Sequence, residues 1–231
     1  MTPKIQSDQI KILNDLLTER YSCRAFQQQS VPDDKINTIL TMAQQTASWC
    51  NSQSWHVTIT KGVSTERFRN RLMEHVKAKS AESPDFPFPR EYRGKYLERR
   101  RESGFQLYNA LGISRGDKTG YEQQGMQNFA LFGAPHVAII TTDEALGTYG
   151  AVDCGGYVSN FMIAAKAYGV ACVAQAALSR YAGFVKQELG ISNDRLMVCA
   201  ISFGYSNEEH PANSYRTSRA PLNEVIHWVS S

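Results

Sequence analysis

The stretch from Tyr149 to Tyr168 constrains the fold more than any other part of the chain. Its residues are small or apolar almost throughout (YGAVDCGGYVSNFMIAAKAY), with one acid, Asp153, and one base, Lys166. A surface helix keeps its apolar residues to one stripe, whereas here they recur on every side. The pattern predicts a long helix buried on most sides and ending at Gly169. Such a helix has to be wrapped by other elements, so it reads as the centre of the fold.

The flanking segments supply those elements. Trp55–Thr60 alternates large apolar and polar residues before the Lys61-Gly62 turn, and 136–142 (HVAIITT) is a short buried run introduced by Gly133-Ala134-Pro135; both read as strands. Two more strands are expected at 170–177 and 196–203, separated by a helix over 179–189. Further helices are expected over 5–19, from Asp33 as cap to before Ser48, over 64–80, within 91–111, and over 121–132. Residues 83–89 (SPDFPFP) hold three prolines and read as a loop or lid. Helices outnumber strands and there is no regular β-α alternation, so the class is α+β; without a repeat or linker, residues 1–231 form one domain.

Composition narrows the function. A net charge of +3 spread over 231 residues gives no basic block, so no nucleic-acid partner is expected. The N-terminal residues lack the apolar core of a secretory signal and no segment reaches membrane-spanning length, which points to the cytoplasm and away from a membrane. Five cysteines fall singly and five histidines are dispersed, so neither a disulfide framework nor a metal site is indicated. Gly-rich nucleotide loops, the H-E-x-x-H pair and the G-x-S-x-G elbow are all missing.

Three segments remain. In Arg20-Tyr21-Ser22-Cys23-Arg24, an extended backbone puts residues 20, 22 and 24 on one face, where two guanidiniums and a hydroxyl suit a phosphate dianion; a helix-end contact for Arg20 and a solvated Arg24 are the alternative. Ser48-Trp49-Cys50-Asn51-Ser52-Gln53-Ser54-Trp55 is an amide-rich turn whose donors and acceptors suit a heterocycle edge or simply form a turn. Arg216-Thr217-Ser218-Arg219-Ala220-Pro221 brings a second arginine pair, either completing an anion site begun at Arg20 or lying in a solvated tail.

Taken in order with Gly169-Val170-Ala171-Cys172 and Phe203-Gly204-Tyr205, these segments resemble the FMN-dependent nitroreductase family, and within it the nitrobenzoate-reductase-like branch. The resemblance spans nearly the whole chain. It departs at Ser54 and Ala174, where the family often has proline, and neither change removes a charged ligand.

The resemblance implies a nitroreductase-like fold, a central mixed or antiparallel sheet flanked by helices, in an intertwined homodimer with FMN at the interface. Arg20, Ser22 and Arg219 would hold the phosphate, and Arg24 would lie at the pyrimidine edge, where positive charge favours two-electron reduction. Ser48, Trp49, Asn51 and Gln53 would close over the flavin from the partner subunit, while the backbone at Ala176 and Ala177 would lie along the ring. Residues 83–132 would form a helical excursion covering the pocket, with Phe129 and Phe132 as candidate lining residues. The implied reaction is ping-pong: NAD(P)H reduces the flavin at N5 and leaves, then a small aromatic acceptor takes its place. No side-chain nucleophile is needed. A quinone or flavin reductase, a dehalogenase and a non-enzymatic flavin-binding module of the same fold stay open as alternatives.

Overall fold

The computed structural model describes residues 7–230. Strands β1 (Trp55–Thr60), β2 (His136–Asp143), β3 (Ala171–Gln175) and β4 (Arg195–Gly204) form one sheet in the order β1-β2-β4-β3. Every pairing is antiparallel, with one irregularity between Ile140 and Thr141 where β2 meets β4. β2 lies between β1 and β4 and is buried from His136 to Thr142, as a strand covered on both faces requires.

Among the described residues there are seven α-helices: α1 (Ser7–Glu19), α2 (Asp33–Ala43), α3 (Val63–Lys77), α4 (Gly94–Ala110), α5 (Lys118–Met126), α6 (Gly147–Ala167) and α7 (Ala182–Leu189). On one face Ile36 and Ile39 of α2 and Tyr157 and Phe161 of α6 pack with Ile140 and Ile201. On the other, Phe68 and Leu72 of α3 and Val185 of α7 pack with Ile139 and Met197. Adjacent Ile139 and Ile140 thus serve opposite faces, as strand alternation dictates. Gly150 lets α6 start tightly against β2, since a Cβ there would sit 2.4 Å from Thr142 Oγ1. Gly204 is needed for a similar reason: its Cβ would meet the Pro135 ring at 2.6 Å.

Four expectations change. The central helix α6 buries only one face, leaving Val152, Gly155, Gly156 and Ser159 exposed in the single chain. Asp33 does not cap α2: Pro32 holds that position, and Asp33 pairs with Lys61 at 2.5 Å. α5 stops at Met126, and the chain reaches Phe132 through turns in which Leu131 and Phe132 take positive φ, 56° and 52°. The proline-rich loop is fastened down. Asp85 pairs with buried Lys186 at 2.8 Å and accepts from the Met197 amide at 2.7 Å, while the Ser83 amide donates to Arg180 O at 2.7 Å.

α4 stands apart from the core and buries none of its residues. The arginines of α4 and of the segment before it are solvated: Arg90 and Arg93 share Glu91, Arg99 pairs with Glu224 at 2.7 Å, and Arg100 lies over the Tyr92 ring. Ile5 of the expected N-terminal helix lies outside the described residues. Among those described, no helix is long and apolar enough to cross a membrane.

Candidate flavin-binding site

After α1 the chain runs extended along the free edge of β3. Ser22 bridges Cys172 in parallel, the Cys23 amide donates to Cys172 O at 3.1 Å, and Phe26 bridges Ser206. Alternation sends Cys23 fully inside and leaves its neighbours facing outward. Arg20 and Ser22 therefore open onto a cleft of about 550 Å³, which α6 walls with Ser159 and Ile163 and the C-terminal segment walls with Arg216 and Arg219. Of the expected phosphate ligands, Arg20, Ser22 and Arg219 thus line one cleft in a single chain. Arg24 turns away from it, donating to Ser22 O at 3.2 Å and to the Tyr215 hydroxyl at 2.8 Å.

Buried Asn213 holds these pieces together. Its Oδ1 accepts from the Arg24 amide at 2.8 Å, and its Nδ2 donates to Ala25 O at 2.9 Å and to Asn207 O at 2.8 Å. An asparagine in a polar loop reads as an ordinary turn residue, so sequence reasoning passed over it. Tyr21 was missed likewise: its hydroxyl bonds Ser206 Oγ at 2.7 Å, and the Arg216 guanidinium stacks on its ring at 3.7 Å.

What sets this region apart is convergence: three guanidiniums line one cleft that holds no carboxylate, whereas other cations are paired, as in Lys61–Asp33, Arg99–Glu224 and Lys186–Asp85, or stand singly on the surface. Among the described residues Arg20, Arg24, Arg216 and Arg219 form no ion pair, and the side-chain bonds of the last three go to neutral carbonyl and hydroxyl oxygens. The three that line the cleft, Arg20, Arg216 and Arg219, converge without a counter-charge and make a site for an anion, and their planar donors suit a phosphate. The thiols take no part: burial pushes Cys172, beneath the cleft, up to about 12 and Cys154 up to about 11, which leaves both protonated and inert.

The Ser48–Gln53 turn lies elsewhere, beside the start of α6. Cys50, Asn51 and Gln53 all have φ between 50° and 55°, a region in which non-glycine residues are strained. Ser48 Oγ accepts from the Gln53 amide at 2.9 Å, Asp153 accepts from the Trp49 amide at 3.2 Å, and Gln53 Oε1 accepts from Gln44 at 3.0 Å. Trp49 packs on Tyr149 at 4.5 Å yet stays 59% exposed. None of Ser48, Trp49, Asn51 and Gln53 lines the arginine cleft.

Ala174 and Ala176 face outward on either side of buried Gln175, so the end of β3 offers a surface free of bulky side chains beside Arg24. Ala176 and Ala177 follow the strand in a turn instead of continuing it. Gln175, unremarked in the sequence, fixes that turn: it accepts from Ser202 Oγ at 2.5 Å and donates to Asn128 O at 2.9 Å. Phe129 and Phe132 point into the core, Phe129 edge-on to Tyr181 at 5.6 Å and Phe132 among Cys23, Phe26 and Val173.

The chain is similar to known proteins in sequence and fold. Residues 17–205 match the Nitroreductase family. The chain is 35% identical to nitroreductase NfnB of Mycolicibacterium smegmatis over 92% of its length and 91% of that protein. It is 27% identical to a 4-nitrobenzoate reductase of a Nocardioides species over 98% and 94%. The crystal structure of the FMN-dependent nitroreductase NfnB from Mycobacterium smegmatis in complex with NADPH superposes with a TM-score of 0.91 at 32% identity, covering 96% of this chain and all of that one. The chain belongs to the Nitroreductase family.

Proposed function

We propose that this protein is an FMN-dependent oxidoreductase that takes electrons from NADPH or NADH and reduces nitroaromatic compounds. What carries the assignment is the cleft where Arg20, Arg216 and Arg219 meet Ser22 with no carboxylate among them, in a chain whose relatives are named nitroreductases and whose structural neighbours are named FMN- and NADPH-dependent ones. The site fits FMN: a dianion answers the uncompensated guanidiniums, and the small residues ending β3 leave room for a flat ring.

When bound, FMN supplies hydride transfer at N5. The chain's own residues bind and orient. Arg20, Ser22 and Arg219 hold the phosphate. Arg24, kept in place by Tyr215 and the Ser22 carbonyl, sets positive charge beside the pyrimidine edge without having to reorganise. The backbone at Ala176 and Ala177 borders the ring. Phe129 and Phe132 act on the substrate pocket through the backbone turns they anchor, and residues 83–132 cover it.

The working unit is a homodimer. Tyr149 beside the strained turn and Ile163 in the cleft are 14 residues apart, about 21 Å along α6, so one chain does not close both parts around one flavin. A second copy packed on the exposed face of α6 brings Ser48, Trp49, Asn51 and Gln53 to its partner's cleft. Exposed Ile10, Ile12, Leu13 and Leu17 of α1 and Val225, Trp228 and Val229 of the C-terminal segment add apolar surface of the kind that partners cover. Five unpaired cysteines suit the reducing cytoplasm.

Steady-state kinetics of the FMN-loaded protein with NADPH and 4-nitrobenzoate test the proposal. Parallel double-reciprocal lines, the mark of two substrates using one place in turn, are expected. A protein that binds no flavin, or whose lines intersect, contradicts it.

A further inference from the structure

The strained turn carries a chain of side-chain amides whose direction is fixed at one end. Trp55 opens β1, buried and stacked on Tyr157 at 5.2 Å, and its indole Nε1 donates to Gln44 Oε1 at 2.9 Å. Gln44 is itself held where α2 ends, its backbone amide donating to Leu40 O at 2.8 Å. Its Nε2 donates in turn to Gln53 Oε1 at 3.0 Å, and Gln53 Nε2 donates to Asn51 Oδ1 at 3.3 Å. A side-chain amide turned over exchanges its oxygen for its NH2, but an indole N–H can only donate. Trp55 therefore demands the Gln44 oxygen, which leaves the Gln44 NH2 for Gln53 and the Gln53 NH2 for Asn51. At the far end stands Asn51 Nδ2, which has no protein acceptor among the described residues. Turning over any single link would set two oxygens or two NH2 groups against each other.

Resting on the flavin and homodimer reading above, we propose that Trp55 and Gln44 are positioning residues of the flavin site. They set the polarity of the amide chain, so that the turn offers the neighbouring subunit's flavin a hydrogen-bond donor at Asn51 and not an acceptor. The chemistry of the ring makes the choice matter. Along the pyrimidine edge C2=O, C4=O and N1 accept and only N3–H donates, so a turn of this polarity matches the accepting atoms and a reversed one does not. Reduction places negative charge on those atoms, and a donor already fixed beside them stabilises it without reorganising. Trp55 and Gln44 act through Asn51 and touch no ligand themselves.

FMN enriched in carbon-13 at C2 and C4 is bound to the protein, and its carbonyl resonances and the midpoint potential of the bound flavin are measured in wild type and variants. The Gln44 side chain is exposed in the single chain, so changes there leave the core alone. Gln44→Leu cuts the amide chain; Gln44→Glu, which accepts at both oxygens, takes the indole N–H and the Gln53 NH2 and so reverses the rest. Both are expected to move one carbonyl resonance upfield, as a lost donor does. Both should also disfavour reduced against oxidised flavin by up to about tenfold, which is about 30 mV more negative for a two-electron couple, with Gln44→Glu the larger. Trp55→Phe keeps a ring but not the N–H, and should give a smaller shift of the same sign. A charge acting through space would shift Gln44→Glu equally with and without Asn51, whereas an Asn51→Leu background should remove most of the effect. Unchanged resonances and potential in Gln44→Leu or Trp55→Phe, or an effect of Gln44→Glu that Asn51→Leu does not reduce, overturns the proposal. If wild type binds no FMN, the flavin reading itself fails, an outcome distinct from these.

Discussion

The arginine cleft and the Ser48–Gln53 turn are both polar, and both rest on α6, but they are built in opposite ways. The cleft hangs on buried anchors: Cys23 is fully enclosed, Asn213 is 4% exposed with every polar atom engaged, and the backbone is stitched to β3. What it lacks is negative charge. The turn has charge and hydrogen-bond balance but no enclosure, with three residues at positive φ and a tryptophan facing solvent. One region is finished as structure and incomplete in electrostatics; the other is satisfied in its bonds and incomplete in packing. That is the pattern expected if one awaits a dianion and the other a second subunit.

The comparison can be broken at either end. The largest effect is expected from Arg20→Ala, which removes a charge-assisted partner of the phosphate and should cost roughly 2–5 kcal/mol of FMN binding; unchanged affinity by fluorescence titration would place the site elsewhere. Asn213→Ala should act on the scaffold as well. It strands the Arg24 amide and removes one of the bonds to the Ala25 carbonyl, which still accepts from the Asn207 amide, for a loss of about 1–3 kcal/mol in urea unfolding with FMN affinity falling alongside. In the strained turn the sign reverses: Cys50→Gly relieves a left-handed conformation and should stabilise the chain by up to about 1 kcal/mol, with FMN phosphate binding unaffected. If Cys50→Gly destabilises instead, the turn is not strained as described.

A last prediction concerns the scaffold common to both regions. Buried His136 accepts from the Val31 amide at 3.0 Å through Nε2, which leaves Nδ1 to donate to Thr60 O at 3.3 Å. Burial holds its pKa below the ordinary 6.5. Above 6.5 the ring is neutral folded or unfolded, and its contribution is fully present. Below 6.5 the unfolded chain takes up a proton that folded His136 resists, so stability falls with pH until the folded pKa is passed. Urea midpoints should drop between pH 8 and pH 5, and the drop should be smaller in His136→Gln. An equal drop in both would move the effect to another group.

Much of this was legible beforehand, for identifiable reasons. The strands at Trp55–Thr60 and His136–Asp143 announced themselves through alternation and a bounded apolar run; alternation on an extended segment singled out Arg20, Ser22 and Arg24, of which the cleft takes the first two, and the role of Arg219 came only with the family resemblance. The exposed face of α6 was misread because a helix that is apolar all round looks the same from sequence whether a domain core or a second subunit covers it. Phe129 and Phe132 continued a helical period that Leu131 and Phe132 break with positive φ, a conformation no local signal marks in those residue types. Asn213, Gln175 and the Tyr21–Arg216 stack depend on contacts across tens to nearly two hundred residues, and single-residue chemistry does not encode such partners.

The central claim is that this cleft holds FMN for electron transfer from a nicotinamide to a nitro group. The direct test adds NADPH, without oxygen, to the FMN-loaded protein and follows the flavin's visible absorbance, then adds 4-nitrobenzoate. The account predicts rapid bleaching by NADPH and full return of the yellow colour as the nitro compound is consumed. Flavin that stays oxidised with NADPH and NADH alike, or that bleaches and is not restored by any nitroaromatic, would contradict it.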